Sequence, residues 1–110
     1  MSETFFIKRN DTSPALVRTL EAPGAGTLAG ATVWFYMADR AGDLIVSRQC
    51  SVIDAGERRV AYEWQAGDTE AAGRFKAEFE VINTDGTKET FPNDGYLLVI
   101  ISADLSEPPS

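Results

Sequence analysis

The sequence predicts an all-β protein: a two-sheet antiparallel β-sandwich of seven to eight short strands. Three observations predict it. Residues 75 to 81 alternate strictly, with Phe75, Ala77, Phe79 and Val81 on one side and Lys76, Glu78 and Glu80 on the other. A helix would scatter those aromatics around its circumference, so the two-residue period selects a strand with one core face and one wet face. Clusters of Gly, Pro, Asn and Asp cut the rest of the chain into runs of strand length, and no long helical pattern competes.

The elements follow in order. Thr4 to Lys8 is a short aromatic and β-branched run, closed by Asn10-Asp11-Thr12-Ser13-Pro14, whose side chains and fixed proline φ favour a turn. Ala15 to Leu20 alternates weakly and ends at Ala22-Pro23-Gly24-Ala25-Gly26. Residues 31 to 38 put Val33, Phe35 and Met37 on one face and Trp34 and Tyr36 on the other, which predicts a central strand covered at least partly on both sides. Leu44 to Ile53 reads as one strand with an irregularity near Arg48-Gln49, and Val60, Tyr62 and Trp64 alternate in the next. The stretch Asp68 to Gly73 reads as a corner between strands: a single helical turn capped by Asp68 or Thr69, with Gly73 as a left-handed exit and a change of sheet. Asn83-Thr84-Asp85-Gly86-Thr87 is a hairpin signal, because Asp-Gly readily supplies the positive φ of a tight turn. Lys88 to Phe91 should pair back, Pro92 to Gly95 turns again, and Tyr96 to Ser102 is a buried strand.

The 110 residues are enough for one domain, expected over residues 1–105, with a mobile tail at 106–110. A formal charge of −7 repels phosphate backbones and anionic lipid, so neither nucleic acid nor membrane is an expected partner. The N-terminal MSETFFIKRND lacks the basic start and apolar core of a signal peptide, and the single Cys50 permits no intrachain disulfide. Assembly in a cytoplasm is the expectation.

The sequence offers little chemistry. It has no histidine, which removes Ser-His-Asp and Cys-His catalysis and most zinc ligand sets. Without a histidine base, Cys50 is expected to be an inert, partly buried thiol. Asn83 to Gly86 superficially matches a calcium loop, but the bidentate acid required six residues later falls at Pro92. Asp11, Asp54, Glu57, Asp68, Asp85 and Asp94 would have to meet at one end of the sandwich to hold an adventitious Ca²⁺; turn chemistry accounts for them more simply. Glu63, Glu78 and Glu80 share an outward phase and read as a solvated face, and Gly24-Ala25-Gly26 lacks the Lys-Ser/Thr pair of a phosphate loop. No catalytic residue, cofactor or metal site is predicted. Trp34, Tyr36 and Trp64 are the candidate interface residues, with core packing as the competing reading; exposure of Trp34 and Tyr36 on an outer face would favour an interface.

Several segments together resemble a known family. FFIKRNDTSPAL, LAGATVWFYM, VAYEWQAGDTEAAGRFKAEFEV and DGTKETFPNDGYLLVII are similar, in that order, to the immunoglobulin-like N-terminal domain of phage baseplate upper proteins, over roughly residues 5 to 102. The most specific part is carried by Tyr62, Trp64, Gly67, Asp68, Thr69, Gly73, Phe75, Ala77, Glu78 and Phe79, extended by Phe91, Pro92, Asn93 and Tyr96. The resemblance implies an immunoglobulin-like fold and a non-enzymatic structural component of a tailed-phage particle, whether tail, baseplate, neck or capsid-associated. It further implies contacts with other phage structural proteins, a homo-oligomer in the assembled virion, and assembly in the host bacterial cytoplasm. The alternative is a carbohydrate- or protein-binding sandwich that stacks ligands on its surface aromatics. An acidic regulator that captures a basic protein is a further reading, and it would require a stripe of carboxylates on one face.

Overall fold

The computed structural model describes residues 3–21, 26–92, 95–103 and 105, and none of these is helical. Nine strands form in chain order: β1 (Thr4–Lys8), β2 (Leu16–Thr19), β3 (Thr32–Ala38), β4 (Leu44–Gln49), β5 (Ser51–Asp54), β6 (Arg59–Tyr62), β7 (Gly73–Ile82), β8 (Lys88–Phe91) and β9 (Leu97–Ser102). They make a six-stranded sheet in the order β1-β9-β7-β3-β4, with β8 also on β7, and a three-stranded sheet in the order β2-β6-β5. The predicted all-β sandwich is the architecture found.

The core lies between the sheets, because each strand turns its apolar phase toward the other layer. Val33, Phe35, Met37, Phe75, Ala77, Phe79 and Val81 from the large sheet meet Leu16, Val60 and Tyr62 from the small one. Phe35 stacks on Tyr62 across the gap at 4.4 Å between ring centroids and leans on Phe79 at 5.2 Å. Burial of aromatic area on this scale is the main source of cohesion between the two layers. The central position expected for residues 31 to 38 is also found: β3 lies between β4 and β7, with its odd-numbered apolar residues buried and Trp34 and Tyr36 half-buried.

Three details differ from the sequence reading. The single strand expected over residues 44 to 53 is two strands in different sheets, since the chain crosses at Cys50, whose N–H donates to Val33 O at 2.7 Å. This raises the count to nine among the described residues. The fold is also not wholly antiparallel: β1 runs parallel to β9, pairing Thr4 with Leu98 through Lys8 with Ser102. Finally, Asp68 to Gly73 does change sheets, from β6 to β7, but through tight turns closed by Asp68 N to Gln65 O and Glu70 N to Gly67 O, with no helical turn. Gly73 has the expected positive φ, 148°.

The hairpin over Asn83 to Thr87 forms as expected between β7 and β8, with Gly86 at φ 89°. On the same edge of β7, β8 pairs with residues 79–82 and β9 with residues 73–77, so the two strands follow one another along it. Parts of the turns at 22–26 and 92–95, and the tail at 106–110, lie outside the described residues.

Candidate functional site

The corner at Asp68 is a buried polar junction. Asp68 is 5% exposed, yet its carboxylate is fully engaged: Tyr62 Oη donates to Oδ2, Arg48 Nη1 donates to Oδ1, and Gln65 N donates to Oδ2 at 2.9 Å. Arg48 Nη1 also donates to Tyr62 Oη at 2.9 Å, which closes a three-sided network. Arg48 is the penultimate residue of β4 in one sheet and Tyr62 ends β6 in the other, so the carboxylate ties the two layers to the β6–β7 crossing. Thr69 extends the tie by donating to Asp11 O at 2.9 Å, while Asn10 N donates to Thr69 O at 3.0 Å. Glu70, the other acid of the turn, is exposed and its backbone carbonyl receives Arg9. A satisfied carboxylate surrounded by structural partners is a joint of the fold and offers no free base to a substrate.

Three other loop acids are likewise committed to turns. Asp54 accepts from Glu57 N at 3.0 Å, Asp39 accepts from Ala41 N and Asp43 N, and Asp85 accepts from Thr87 through both N and Oγ1. Those two bonds from Thr87 hold the Asp85 carboxyl below its usual range. Among the described residues no group of three or more Cys, Asp or Glu side chains converges as a metal would need.

Cys50 is buried at the crossing between the sheets, and burial pushes its thiol up to about 12. Tyr62 moves in the same direction, first through burial and then through its bond to Asp68. Both groups are held in the protonated form by the fold. Their stabilisation is complete below the unfolded values of roughly 8.5 and 10, and it is lost as pH climbs toward the folded ones. The expected result is a thiol that stays unlabelled by an aromatic disulfide reagent near pH ~8 until the chain is unfolded, with stability falling only on the alkaline side of pH ~9. Prompt labelling of the folded protein would contradict this placement.

The three candidate interface residues separate. Trp64 belongs to the core: it is 3% exposed, stacks on Phe5 at 5.8 Å, and meets Tyr62 and Phe35 edge to face. Its indole N–H has no acceptor among the described residues. Trp64 therefore cannot serve as a surface platform, and its shared phase with Val60 and Tyr62 already pointed inward. Trp34 and Tyr36, in contrast, stand side by side on the outward face of β3, half-buried beside Glu80 and Glu78 of β7. Tyr36 Oη donates to Glu80 Oε1 at 3.2 Å, and its pKa is raised by burial first and by Glu80 second.

That face is broad and mixed in character. Register places Arg74, Lys76, Glu78 and Glu80 along the outward side of β7, with Ile100 and Leu98 of β9 beside the two cations. Phe6 of β1, paired with Ile100, is 67% exposed, and Leu44 of β4, paired with Ala38, is 57% exposed at the other edge. Lys76 Nζ lies 4.7 Å from the centroid of Tyr96. Next to it a depression of about 410 Å³ is lined by Asp39, Arg40, Arg74, Lys76, Tyr96 and Leu98. A second, of about 240 Å³, opens on the flank between the layers over Leu20, Phe79, Phe91 and Leu97. Arg18 Nε lies 2.5 Å from Glu3 Oε2 at its mouth. That contact is a misaligned ion pair with no directed hydrogen bond from Nε.

Sequence reasoning also missed Arg58. It is 8% exposed with φ 59°, and its guanidinium donates to Leu20 O and Gly26 O, both at 2.7 Å, and to Glu89 Oε2 at 3.2 Å. It lies over the ring of Phe91 as well, so one side chain clamps the loop before β3 to the larger sheet. Only the positive-φ setting of the Ala55-Gly56-Glu57-Arg58 turn distinguishes it from Arg59, and sequence alone does not reveal that.

No protein-family model matches the chain, and no curated protein matches it. Among solved structures, CopC from Methylosinus trichosporium OB3b aligns over 99% of this chain and 91% of its own, with a TM-score of 0.60 and 15% identity. At that identity the likeness extends to the fold alone. SGBP-B of the Bacteroides ovatus mixed-linkage glucan utilization locus, solved with a mixed-linkage heptasaccharide, aligns at a TM-score of 0.45 and 16% identity, over 98% of this chain and 22% of that one. That score is too low to bear on this chain's function.

Proposed function

We propose that this protein is a non-enzymatic structural component of a tailed-phage particle, an immunoglobulin-like module that docks onto its neighbours through the outer face of the larger sheet. The observation that carries the reading is the outward, half-buried position of Trp34 and Tyr36, side by side on a five-stranded face that also presents Phe6, Leu98 and Ile100. Apolar and aromatic side chains presented on an outer face, here as two patches on either side of the charged residues of β7, are characteristic of interaction sites. The strand order supports the immunoglobulin-like part: β2, β6 and β5 take the places of strands B, E and D, facing β3, β7 and β9 in those of C, F and G. The segments that resemble baseplate upper protein domains supply the particle as the setting.

The carbohydrate-binding alternative loses support from the placement of its platforms. Trp64 is in the core, and Trp34 and Tyr36 line neither of the two depressions described. The acidic-regulator reading requires a carboxylate stripe, whereas the outward side of β7 carries two cations and two anions. A non-enzymatic role is also consistent with a thiol held near 12 and an Asp68 carboxylate spent on the fold. The test is mass spectrometry of density-purified particles induced from the bacterium that encodes the chain. The protein is expected there in stoichiometric amount with other structural proteins, and its absence from particles while present in the lysate would overturn the proposal.

A further inference from the structure

The outward side of β7 carries its charges in a self-complementary order: Arg74 and Lys76, then Glu78 and Glu80. Phe75, Ala77, Phe79 and Val81 between them face the core, so the four charged residues form one column on the outer face. Among the described residues neither Arg74 nor Glu78 has an ion-pair partner within the chain. A surface that joins two identical subunits about a twofold axis must satisfy one condition: if residue i meets residue j, then j meets i. A column reading plus, plus, minus, minus meets that condition when two copies lie antiparallel and clashes when they lie parallel.

We propose that the partner of this face is a second copy of the chain, packed sheet to sheet about a twofold axis that crosses β7 at Ala77. The axis lies in the interface and runs perpendicular to the strand. It brings Lys76 against Glu78 of the second copy, and Arg74 against Glu80, on both sides of the axis. The neighbouring strand fits the same operation. β3 is registered with Trp34 beside Glu80, Tyr36 beside Glu78 and Ala38 beside Lys76. Rotation therefore sets each Tyr36 over the small Ala38 of the other copy. It also carries each Trp34 to the mouth of the 410 Å³ depression, between Arg40 and Arg74, where an indole can lie against a guanidinium. A bulky aromatic pair at one end of the face is thus matched by a small residue and a hollow at the other.

The area is adequate. Five strands about 4.8 Å apart, over the length of β3 at about 3.4 Å per residue, project on the order of 600 Å². Side-chain relief brings that toward the ~800 Å² per partner of an ordinary protein interface. Phe6 and Leu44, exposed at opposite edges of the face, form its apolar rim.

The inference rests on the docking role proposed above, and charge reversal tests it on the full chain. Sedimentation of the wild type up to about 500 µM is expected to show reversible association from 12.0 kDa to twice that mass, weakened by salt because the contacts are charged. Lys76→Glu and Glu78→Lys each place like charges across the axis and should raise the dissociation constant at least ~10-fold. An equimolar mixture of the two single variants should recover a mixed dimer, and the double variant K76E/E78K should recover the homodimer. Both positions are exposed, so far-UV circular dichroism should be unchanged. A wild type that stays monomeric throughout overturns the inference, as does a dimer indifferent to these changes or single variants that fail to associate when mixed. A monomer nonetheless recovered in purified particles overturns the twofold pairing and leaves the docking role standing. A dimer with the predicted charge pattern in a chain absent from particles does the reverse.

Discussion

Asp68→Ala is expected to remove about 3–5 kcal/mol of stability, the range found when one partner of a buried charged network is deleted. Three donors converge on this carboxylate, and the substitution strands all of them: the Tyr62 hydroxyl, the Arg48 guanidinium and the Gln65 amide. The contributions are unequal. The Arg48 side chain is 44% exposed against 3% for Asp68, so water screens the charge pairing and supplies replacement partners to the guanidinium. The Tyr62 hydroxyl is enclosed and has no such recourse, while the Gln65 amide lies in an exposed turn. Asp68→Asn, which keeps an acceptor, should therefore fall between wild type and alanine, while Arg48→Met, which takes the cation from a buried carboxylate that keeps its two other donors, should cost about 2 kcal/mol. Urea unfolding followed by tyrosine and tryptophan fluorescence measures all three. An alanine variant within ~0.5 kcal/mol of wild type would show that the corner carries no load.

Phe35→Ala is expected to be as damaging, at about 3–5 kcal/mol, since truncation of a buried aromatic loses transfer energy and leaves a cavity. Phe35 is fully buried at the centre of the ring cluster, against Tyr62 at 4.4 Å, Phe79 at 5.2 Å and Trp64 at 5.7 Å. It belongs to the larger sheet and Tyr62 to the smaller, so the pair measures adhesion between layers. A double-mutant cycle with Tyr62→Leu should return a coupling of about 0.5–1.5 kcal/mol, the increment of a well-placed aromatic pair. Additivity of the two substitutions would place the rings in separate environments and contradict the packing. A typical domain is stable by only ~5–15 kcal/mol, so either single variant should show a melting temperature lowered by roughly 10 °C or more.

Much of this arrangement was legible in the sequence. The alternation of residues 75 to 81 identified Phe79 as core and the charged column as outward, and that of residues 31 to 38 set Phe35 on the face opposite Trp34 and Tyr36 without deciding which face was core, because parity fixes side-chain direction in a strand relative to its neighbours. Parity is silent on other matters. The chain passes from one sheet to the other at Cys50 without breaking phase, since Val46, Cys50 and Val52 all keep to the inner side across the crossing. One strand was therefore expected where two exist. Nor does alternation encode direction, so the parallel pairing of β1 with β9 left no trace in the local pattern.

The site was harder to read than the fold, for a related reason. Asp68 looked like a turn residue because its backbone setting is a turn, but its burial depends on Arg48, twenty positions earlier in another sheet. The order of charges on β7 was visible as a wet face, yet its symmetry acquires meaning only beside β3 and β9, which set aromatics and aliphatics on either side. Trp64 is the opposite case, since its parity was clear and only its size suggested a surface role.

The self-complementary docking face proposed on the outward side of β7 is best tested by the mass in solution of K76E and E78K, each alone and then mixed. Two monomers are expected to become one dimer on mixing, because opposite charges then face each other on both sides of the axis. Single variants that dimerise as readily as the wild type, or a mixture that stays at 12.0 kDa, would contradict it.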